Sequence, residues 1–369
     1  MQKKTIALVA ALAACGLAQA QTAPPPSVTL YGLIDVYLES LQIDGRNNGK
    51  RDARMSNNGL AGTRWGMRGS EDLGGGLKAN FVLESGFALT NGTLNSGQAF
   101  SREAYVGLSS ATLGELRLGR QYAPIHYALI FTDVDFGSAA GPVLALWASN
   151  LDQTRQNNQV GYWTPKFGAF SALFTVNEGG EARPAGQTSL RNYGAMVQYQ
   201  TPTTQASVAL HRGGSDGGAP GKRTQTALHA GVKHDFGGFT LAGAYYRHEN
   251  DLPATSASPK TQAVVLGGYV PVGQWGFVAQ LGHVWDDGKI YNTGASKAKG
   301  KDNYFNVGAN YNFSKRTLAY ARYGQVSDDN GGFNARAGVP ANGYFGALGS
   351  GFTAGGGAST LQLGVLHRF

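Results

Sequence analysis

From Val28 to the last residue the chain repeats one pattern, a run of about ten residues alternating apolar and polar, followed by turn residues. Successive side chains of a strand point to opposite faces, so a period of two describes a strand with two different surroundings. In residues 304–313, Phe305, Val307, Ala309, Tyr311 and Phe313 share one face, and Asn306, Gly308, Asn310 and Asn312 share the other. The final run repeats this: Leu361, Leu363, Val365, His367 and Phe369 alternate with Thr360, Gln362, Gly364, Leu366 and Arg368. A soluble β-sandwich also alternates, so the pattern in one run leaves both classes open.

The number of runs and their spacing discriminate. Strands are expected at 28–38, 61–71, 77–87, 101–110, 115–121, 157–164, 168–176, 191–200, 204–212, 225–235, 238–248, 260–271, 274–286, 304–313, 316–327 and 360–369, sixteen in all. An even count suits a bacterial single-chain membrane barrel. The connections alternate in length. Short turns fall at 72–76, 111–114, 164–167, 201–204, 236–238 and 312–315. Long Gly- or Ser-rich loops fall at 39–60, 88–100, 177–190, 213–224, 249–259, 287–302 and 328–358. Tight turns at one end and long loops at the other are what a transmembrane barrel produces. After the N-terminus no stretch approaches the roughly 20 apolar residues of a membrane helix, and 55 Gly weaken long helices. The expected fold is therefore all-β, a 16-stranded antiparallel transmembrane barrel. A closed barrel satisfies every backbone group inside hydrocarbon. Aromatics near strand ends, Tyr31, Trp65, Phe87, Tyr162, Trp163, Tyr199, Tyr245, Tyr269, Trp275, Tyr311, Tyr320 and Phe369, are candidates for interface girdles.

Lys3 and Lys4 precede the apolar run 6–14, and Ala18-Gln19-Ala20 reads as a small-residue cleavage site. The expected division is a signal peptide at 1–20 and a barrel at 21–369. Leu12-Ala13-Ala14-Cys15 offers a rival lipoprotein site. Cys15 is the only cysteine, so cleavage after Ala20 leaves no thiol to pair. The formal charge of +8 becomes +6 without Lys3 and Lys4. The cations are scattered singly through the alternating runs, and an exported protein seldom meets nucleic acid. A basic lining favouring anions accounts for them better.

One connection differs. Residues 122–156 follow strand 115–121 and carry Ile125, Tyr127, Leu129, Ile130, Phe131, Val134, Phe136, Val143, Leu144, Leu146 and Trp147. A long connection with buried-type residues is usually functional. This third loop is expected to fold into the lumen and narrow it. It carries Asp133 and Asp135. In Arg64-Trp65-Gly66-Met67-Arg68, lipid-facing Trp65 and Met67 turn Arg64 and Arg68 inward, and the same parity turns Lys78 and Glu84 inward. A charge on the lipid face costs roughly 2–4 kcal/mol at midplane. Acids on a loop facing bases on a wall would set up a transverse field, and rings of fixed charge select ions.

Several segments resemble the Gram-negative general porins, especially the betaproteobacterial type. They are Val28-Thr-Leu-Tyr-Gly-Leu-Ile-Asp35, Thr63-Arg-Trp-Gly-Met-Arg-Gly-Ser-Glu-Asp-Leu73, Ser101-Arg-Glu-Ala-Tyr-Val-Gly-Leu108, Gly119-Arg-Gln-Tyr122, Val160-Gly-Tyr-Trp-Thr-Pro165 and His367-Arg-Phe369. The resemblance implies a homotrimer of sixteen-stranded barrels in the outer membrane and a third loop in the lumen. It also implies a terminal Phe369 read by the barrel-assembly machinery. It places Arg64 and Arg102 among the wall arginines of the constriction, with Arg155 or a neighbour as a third, and Asp133 and Asp135 in the acidic loop motif. Here the loop reads Val-Asp-Phe-Gly where the family often has Pro-Glu-Phe-Gly. Parity conflicts with the resemblance at Arg102, which falls with Ala104, Val106 and Leu108; a strand end or bulge would reconcile them. Arg120 shares parity with Leu116 and Leu118 and stands outside the pore set.

Catalysis finds no support. The seven His are dispersed, and His229 and His234 fall on opposite faces of one strand. No nucleophile elbow or phosphate loop is present. No cofactor and no metal are expected; Asp286, Asp287, Asp328 and Asp329 read as solvated loop carboxylates, with divalent cations or lipopolysaccharide as the alternative. The expected function is a water-filled channel for passive diffusion of small hydrophilic solutes, anions preferred. Its constriction would comprise Arg64, Arg68, Lys78, Arg102, Asp133, Asp135 and Arg155. The alternative is a substrate-selective channel for an organic acid or phosphate. Membrane lipid and lipopolysaccharide are the expected surroundings, and nucleic acid is not a partner.

Overall fold

A computed structural model describes residues 27–44, 50–135, 137–143, 154–179, 188–216, 223–251, 260–287, 300–328 and 357–369. The segment 1–20, with Cys15, lies outside them, as do Phe136, Leu144, Leu146, Trp147 and Asp329. The strands are β1 (Ser27–Ile43), β2 (Asp52–Asn57), β3 (Arg64–Gly74), β4 (Leu77–Gly86), β5 (Glu103–Ser110), β6 (Gly114–Tyr122), β7 (Arg155–Trp163), β8 (Phe170–Asn177) and β9 (Thr188–Ser189). They continue as β10 (Asn192–Gln200), β11 (Thr204–Asp216), β12 (Arg223–Asp235), β13 (Thr240–Asp251), β14 (Lys260–Val272), β15 (Trp275–Asp286), β16 (Lys301–Asn312), β17 (Thr317–Asp328) and β18 (Gly357–Arg368).

Each stave pairs antiparallel with its neighbours, and β18 returns to pair with β1, with Val36 opposite Val365. The barrel is closed and has sixteen staves. The two surplus strands are segments of neighbours: β2 and β3 both pair with β1, and β9 extends β10 along β11. The expected count therefore holds. The expected loop 39–60 is shorter, because β1 runs to Ile43 and β2 occupies part of it. Between β2 and β3 the chain breaks at Asn58, where φ is 69°, and dips inward. Buried Asp35 holds this dip: its carboxylate accepts the Leu60 N–H at 2.6 Å, the Ala61 N–H at 2.8 Å and the Tyr320 hydroxyl at 2.6 Å.

The two faces invert the rule of soluble proteins. Leu38, Met55, Val106, Leu108, Leu116, Leu210, Leu266, Leu281, Leu361 and Leu363 are exposed on the outside. Glu39, Glu84, Gln121, His229, Gln280, Asn306, Arg322 and Gln362 are buried within. That is the arrangement of an apolar band around a polar lumen. Trp275 packs edge-on to Tyr311 at 4.8 Å, and Tyr311 to Phe313 at 5.1 Å, at the short-turn end. Four of the proposed girdle aromatics face inward instead, Tyr269 among them, its ring filling the place of a Gly276 side chain. Tyr31 donates to Glu84, Tyr320 donates to Asp35, and Trp163 meets Tyr127 of the third loop. Parity alone assigns that side, and polar or loop partners make it stable.

The third loop begins with a helix, α1 (Pro124–Phe131), inside the barrel. Pro124 opens it, where a missing N–H costs nothing. Ile125, Ala128, Leu129 and Val143 join the wall residues Leu173, Met196, Ala209, Ala227, Tyr246 and Val265 in one apolar cluster. Four wall glycines give the loop its seat. A side-chain carbon at Gly194 would lie 2.6 Å from Pro124, at Gly231 2.5 Å from Thr132, at Gly267 2.6 Å from Val134 and at Gly282 2.7 Å from Pro142. The loop thus runs along the inner wall of β8 and β10–β17, and its Ala139 N–H bonds the Gly59 carbonyl between β2 and β3 at 2.7 Å.

Candidate pore constriction

Where β3, β5 and β7 begin, three arginines converge. Arg64, first residue of β3, places Nε 3.3 Å from a Glu84 carboxylate oxygen. Arg102 donates Nε to the other Glu84 oxygen at 2.5 Å and Nη2 to the Tyr122 hydroxyl at 2.5 Å. Arg155, first residue of β7, donates Nη2 to the same hydroxyl at 2.7 Å and lies 4.3 Å above the Tyr122 ring. Glu84 also accepts the Tyr31 hydroxyl at 3.1 Å. Three guanidiniums therefore share one carboxylate and one phenol. His126 of α1 stacks under Tyr122 at 4.3 Å. Burial, with Arg155 and Arg102 nearby, pushes its imidazole pKa well below the usual range and keeps the ring neutral.

The conflict at Arg102 resolves at a strand end. β5 begins at Glu103, so Arg102 precedes it and escapes its parity. Its backbone N–H still bonds to the Glu84 carbonyl, while the side chain turns to the Glu84 carboxylate. Gly62 and Gly86 leave room: a side-chain carbon at Gly62 would lie 2.6 Å from the guanidinium. Arg120 does point outward, opposite Ala104, and its Nε donates to the Ser101 carbonyl at 2.9 Å while Nη1 bonds Asn157.

The other predicted residues lie elsewhere. Arg68 is on the same face as Arg64 but four residues further along β3, roughly 13 Å away at strand rise. It sits 5.3 Å above the Tyr31 ring. Lys78 pairs opposite Asp72 near the short-turn end, roughly 27 Å along β4 from Gly86, the partner of Arg64. Both face the lumen, at lower levels than the arginine cluster.

Asp133 and Asp135 are on the inserted loop, but their carboxylates are buried against the far wall. Asp135 takes both Arg322 arms, Nη2 at 2.7 Å and Nε at 3.0 Å, and accepts from the Asn306 amide at 3.1 Å. The Arg322 side chain is fully buried. Asp133 accepts the Gln280 amide at 2.5 Å and the Gly137 N–H at 2.5 Å, and its backbone carbonyl accepts Lys233 at 3.1 Å. Burial first, and Asp135 second, push the Asp133 carboxyl up to about 6. Glu84, Tyr122, Gln280, Asn306 and Arg322 join the site from outside the expected set. Arg322 is the one with a signal, a mid-strand cation sharing parity with Leu318, Tyr320 and Val326, the other cation of 316–327 being Arg316 at the turn.

A family profile described as Gram-negative porin matches residues 7–331. The chain belongs to that family. Outer membrane porin protein 32 of Delftia acidovorans is 30% identical over 377 residues, all of both chains. An outer membrane porin protein of Bordetella pertussis is 29% identical, covering 88% of this chain and 94% of the relative. Among solved structures, the anion-selective porin from Comamonas acidovorans is 27% identical and superposes with a TM-score of 0.77 over 93% of this chain and 100% of its own. OmpT of Vibrio cholerae, 15% identical with a TM-score of 0.68 over 96% of this chain and 100% of its own, shares the fold. The porin is thus an outer-membrane channel. Its wall residues are to be read as the lining of a solute path. Among its described residues no group of three or more His, Cys, Asp or Glu is placed to hold a metal. His229 bonds Thr132 of the loop at 3.1 Å, and His234 bonds Thr204 at 2.7 Å.

Proposed function

We propose that this porin passes small hydrophilic solutes by diffusion with a preference for anions, and that Arg64, Arg102 and Arg155 set that preference. The observation that carries the reading is the charge balance across the lumen. Three guanidiniums on one wall have between them a single bonded carboxylate, Glu84, with Glu103 the next acid beside them, while the loop acids opposite are already bound. Asp133 and Asp135 act here as anchors that hold the loop to the far wall, which leaves the cations without a facing counter-charge. Arg68 and Lys78 extend the positive lining towards the short-turn end. Fixed charge in a narrow, low-dielectric path raises the local concentration of the opposite ion. The solved relative titled as anion-selective agrees with this reading.

The test is reversal potential in planar bilayers under a salt gradient. Arg64→Gln with Arg102→Gln should move it towards cations, by tens of millivolts in a tenfold gradient if the cluster dominates selectivity (a full reversal spans about 59 mV either side of zero for a monovalent ion). An unchanged potential in a folded variant rejects the assignment.

We propose further assignments for the same barrel. The mature chain begins after cleavage at Ala20, and the subunits form a trimer. Phe369 serves as the signal for barrel assembly. Arg212 on β11, Arg247 on β13 and Lys260 on β14 sit on the outer face at the long-loop end, the last two around Glu249, where they suit the phosphates of lipopolysaccharide.

A further inference from the structure

We propose that the wall from β1 through β7 is a binding track for aromatic carboxylates, which deepens and rests on the anion-channel reading above. Its cations are not bare. Arg155 and Arg102 lie 4.3 and 5.8 Å from the Tyr122 ring centre, Arg117 lies 4.8 Å from Tyr105 and 6.0 Å from Trp163, and Arg68 lies 5.3 Å from Tyr31. On the far wall, among the described residues, the corresponding pair is Arg322 over Tyr320, and Asp135 occupies that guanidinium.

The pairs descend in register. Arg68 and Tyr105 both stand opposite Val82, and Arg117 stands opposite Gly107, which in turn faces Asn80. Lys78, opposite Ser109, is one level lower. Each level is two residues of strand, roughly 7 Å, about the length of a small aromatic acid. The levels lead from the constriction towards the short-turn mouth.

Arg102 meets Tyr122 at the ring edge through its hydroxyl; the track rests on the other pairs, in which a guanidinium lies over a ring. The edge of that guanidinium can still grip a carboxylate in a planar fork, and its outer face can stack on a second ring. A ligand with both a carboxylate and an aromatic ring satisfies both surfaces. An aliphatic or inorganic anion uses only the charge. From the level of Arg64 to the short-turn end, four inward carboxylates on this wall oppose the cations, with Asp72 opposite Lys78. Glu84 is held by Arg64 and Arg102, Glu115 by Arg117 at 2.7 Å, and Glu103 lies 3.4 Å from the Tyr127 hydroxyl. Against them stand Arg64, Arg68, Lys78, Arg102, Arg117 and Arg155, so the wall remains net positive.

The experiment compares benzoate with cyclohexanecarboxylate, acids of equal charge and similar size, as blockers of chloride current through the purified full-length porin in planar bilayers. Benzoate should give saturable block at a roughly two- to fivefold lower concentration, the scale of one cation–π contact. Tyr105→Leu, checked for heat-modifiable gel mobility, should shrink that ratio towards one. Equal block by the two acids in the unmodified porin overturns the track, whatever the variant does. Reversal potentials in potassium chloride separate the two readings: anion preference with equal block rejects the aromatic track alone, and cation preference rejects the anion-channel reading as well.

Discussion

Arg102 and Arg322 show how much a single residue's role depends on where its strand begins and what crosses the lumen to meet it. Parity of 101–108 turns Arg102 towards lipid, yet the strand starts one residue later and the guanidinium reaches Glu84. Arg322 is legible as inward from its mid-strand charge, but its partner lies 187 residues away on the loop. Removing one member of a buried pair leaves an uncompensated charge and typically costs about 3–5 kcal/mol, whereas removing both costs less. Arg322→Met should therefore lower the temperature at which the folded porin loses its compact gel mobility and increase current noise. Arg322→Met combined with Asp135→Asn should recover much of both. Equal losses in the single and double variants would show that the pair does not anchor the loop.

At the scale of the element, the third loop is held by shape and by charge. Gly194, Gly231, Gly267 and Gly282 make the groove in which it lies. Gly267→Val should push Val134 off the wall and shift single-channel conductance, with the barrel's strand content unchanged by circular dichroism. Charge adds a pH dependence. Asp133 faces Asp135 on its own loop, Gln280 on β15, and Lys233 and His229 on β12. Its carboxyl is raised from 3.8 to about 6 in the docked loop. A carboxyl raised in the docked state favours the proton there, so docking strengthens as pH falls from about 6 towards 3.8 and is independent of this group above about 6. Spontaneous closures in bilayers should be rarer at pH 5 than at pH 7.5, and Asp133→Asn should flatten that difference. The loop's place inside the barrel was legible from its length and apolar content. The side it would lean on was not, because glycines scattered over β10, β12, β14 and β15 form a groove only once those staves stand in one wall.

At the scale of the whole molecule, closure is the decisive event. Phe369 exchanges backbone hydrogen bonds with Gly32, 3.0 and 3.1 Å, and its ring covers the place a Gly32 side chain would fill. The last residue is therefore part of the seam between β1 and β18. Phe369→Ala should reduce the yield of heat-modifiable barrel in outer-membrane fractions several-fold, with the unfolded chain accumulating; an unaltered yield would remove the residue from both seam and signal.

The sequence by itself determined the class, the sixteen staves, the inward face of most charged residues and the inserted loop. Those depend on alternation and loop length, which are local and repeat along the chain. Only the tertiary structure decided which charges meet. Glu84 gathers Arg64 and Arg102, Tyr122 gathers Arg102 and Arg155, and Asp135 turns to Arg322 instead of facing them. The period of a strand states which face a side chain takes. The height at which it meets a neighbour depends on register, bulges and strand ends, and the contact across the lumen depends on how the loop lands. Most of the pore's inward-facing charges could thus be named from the chain alone, while the uneven division of charge between its two walls emerged only when the barrel closed around its loop.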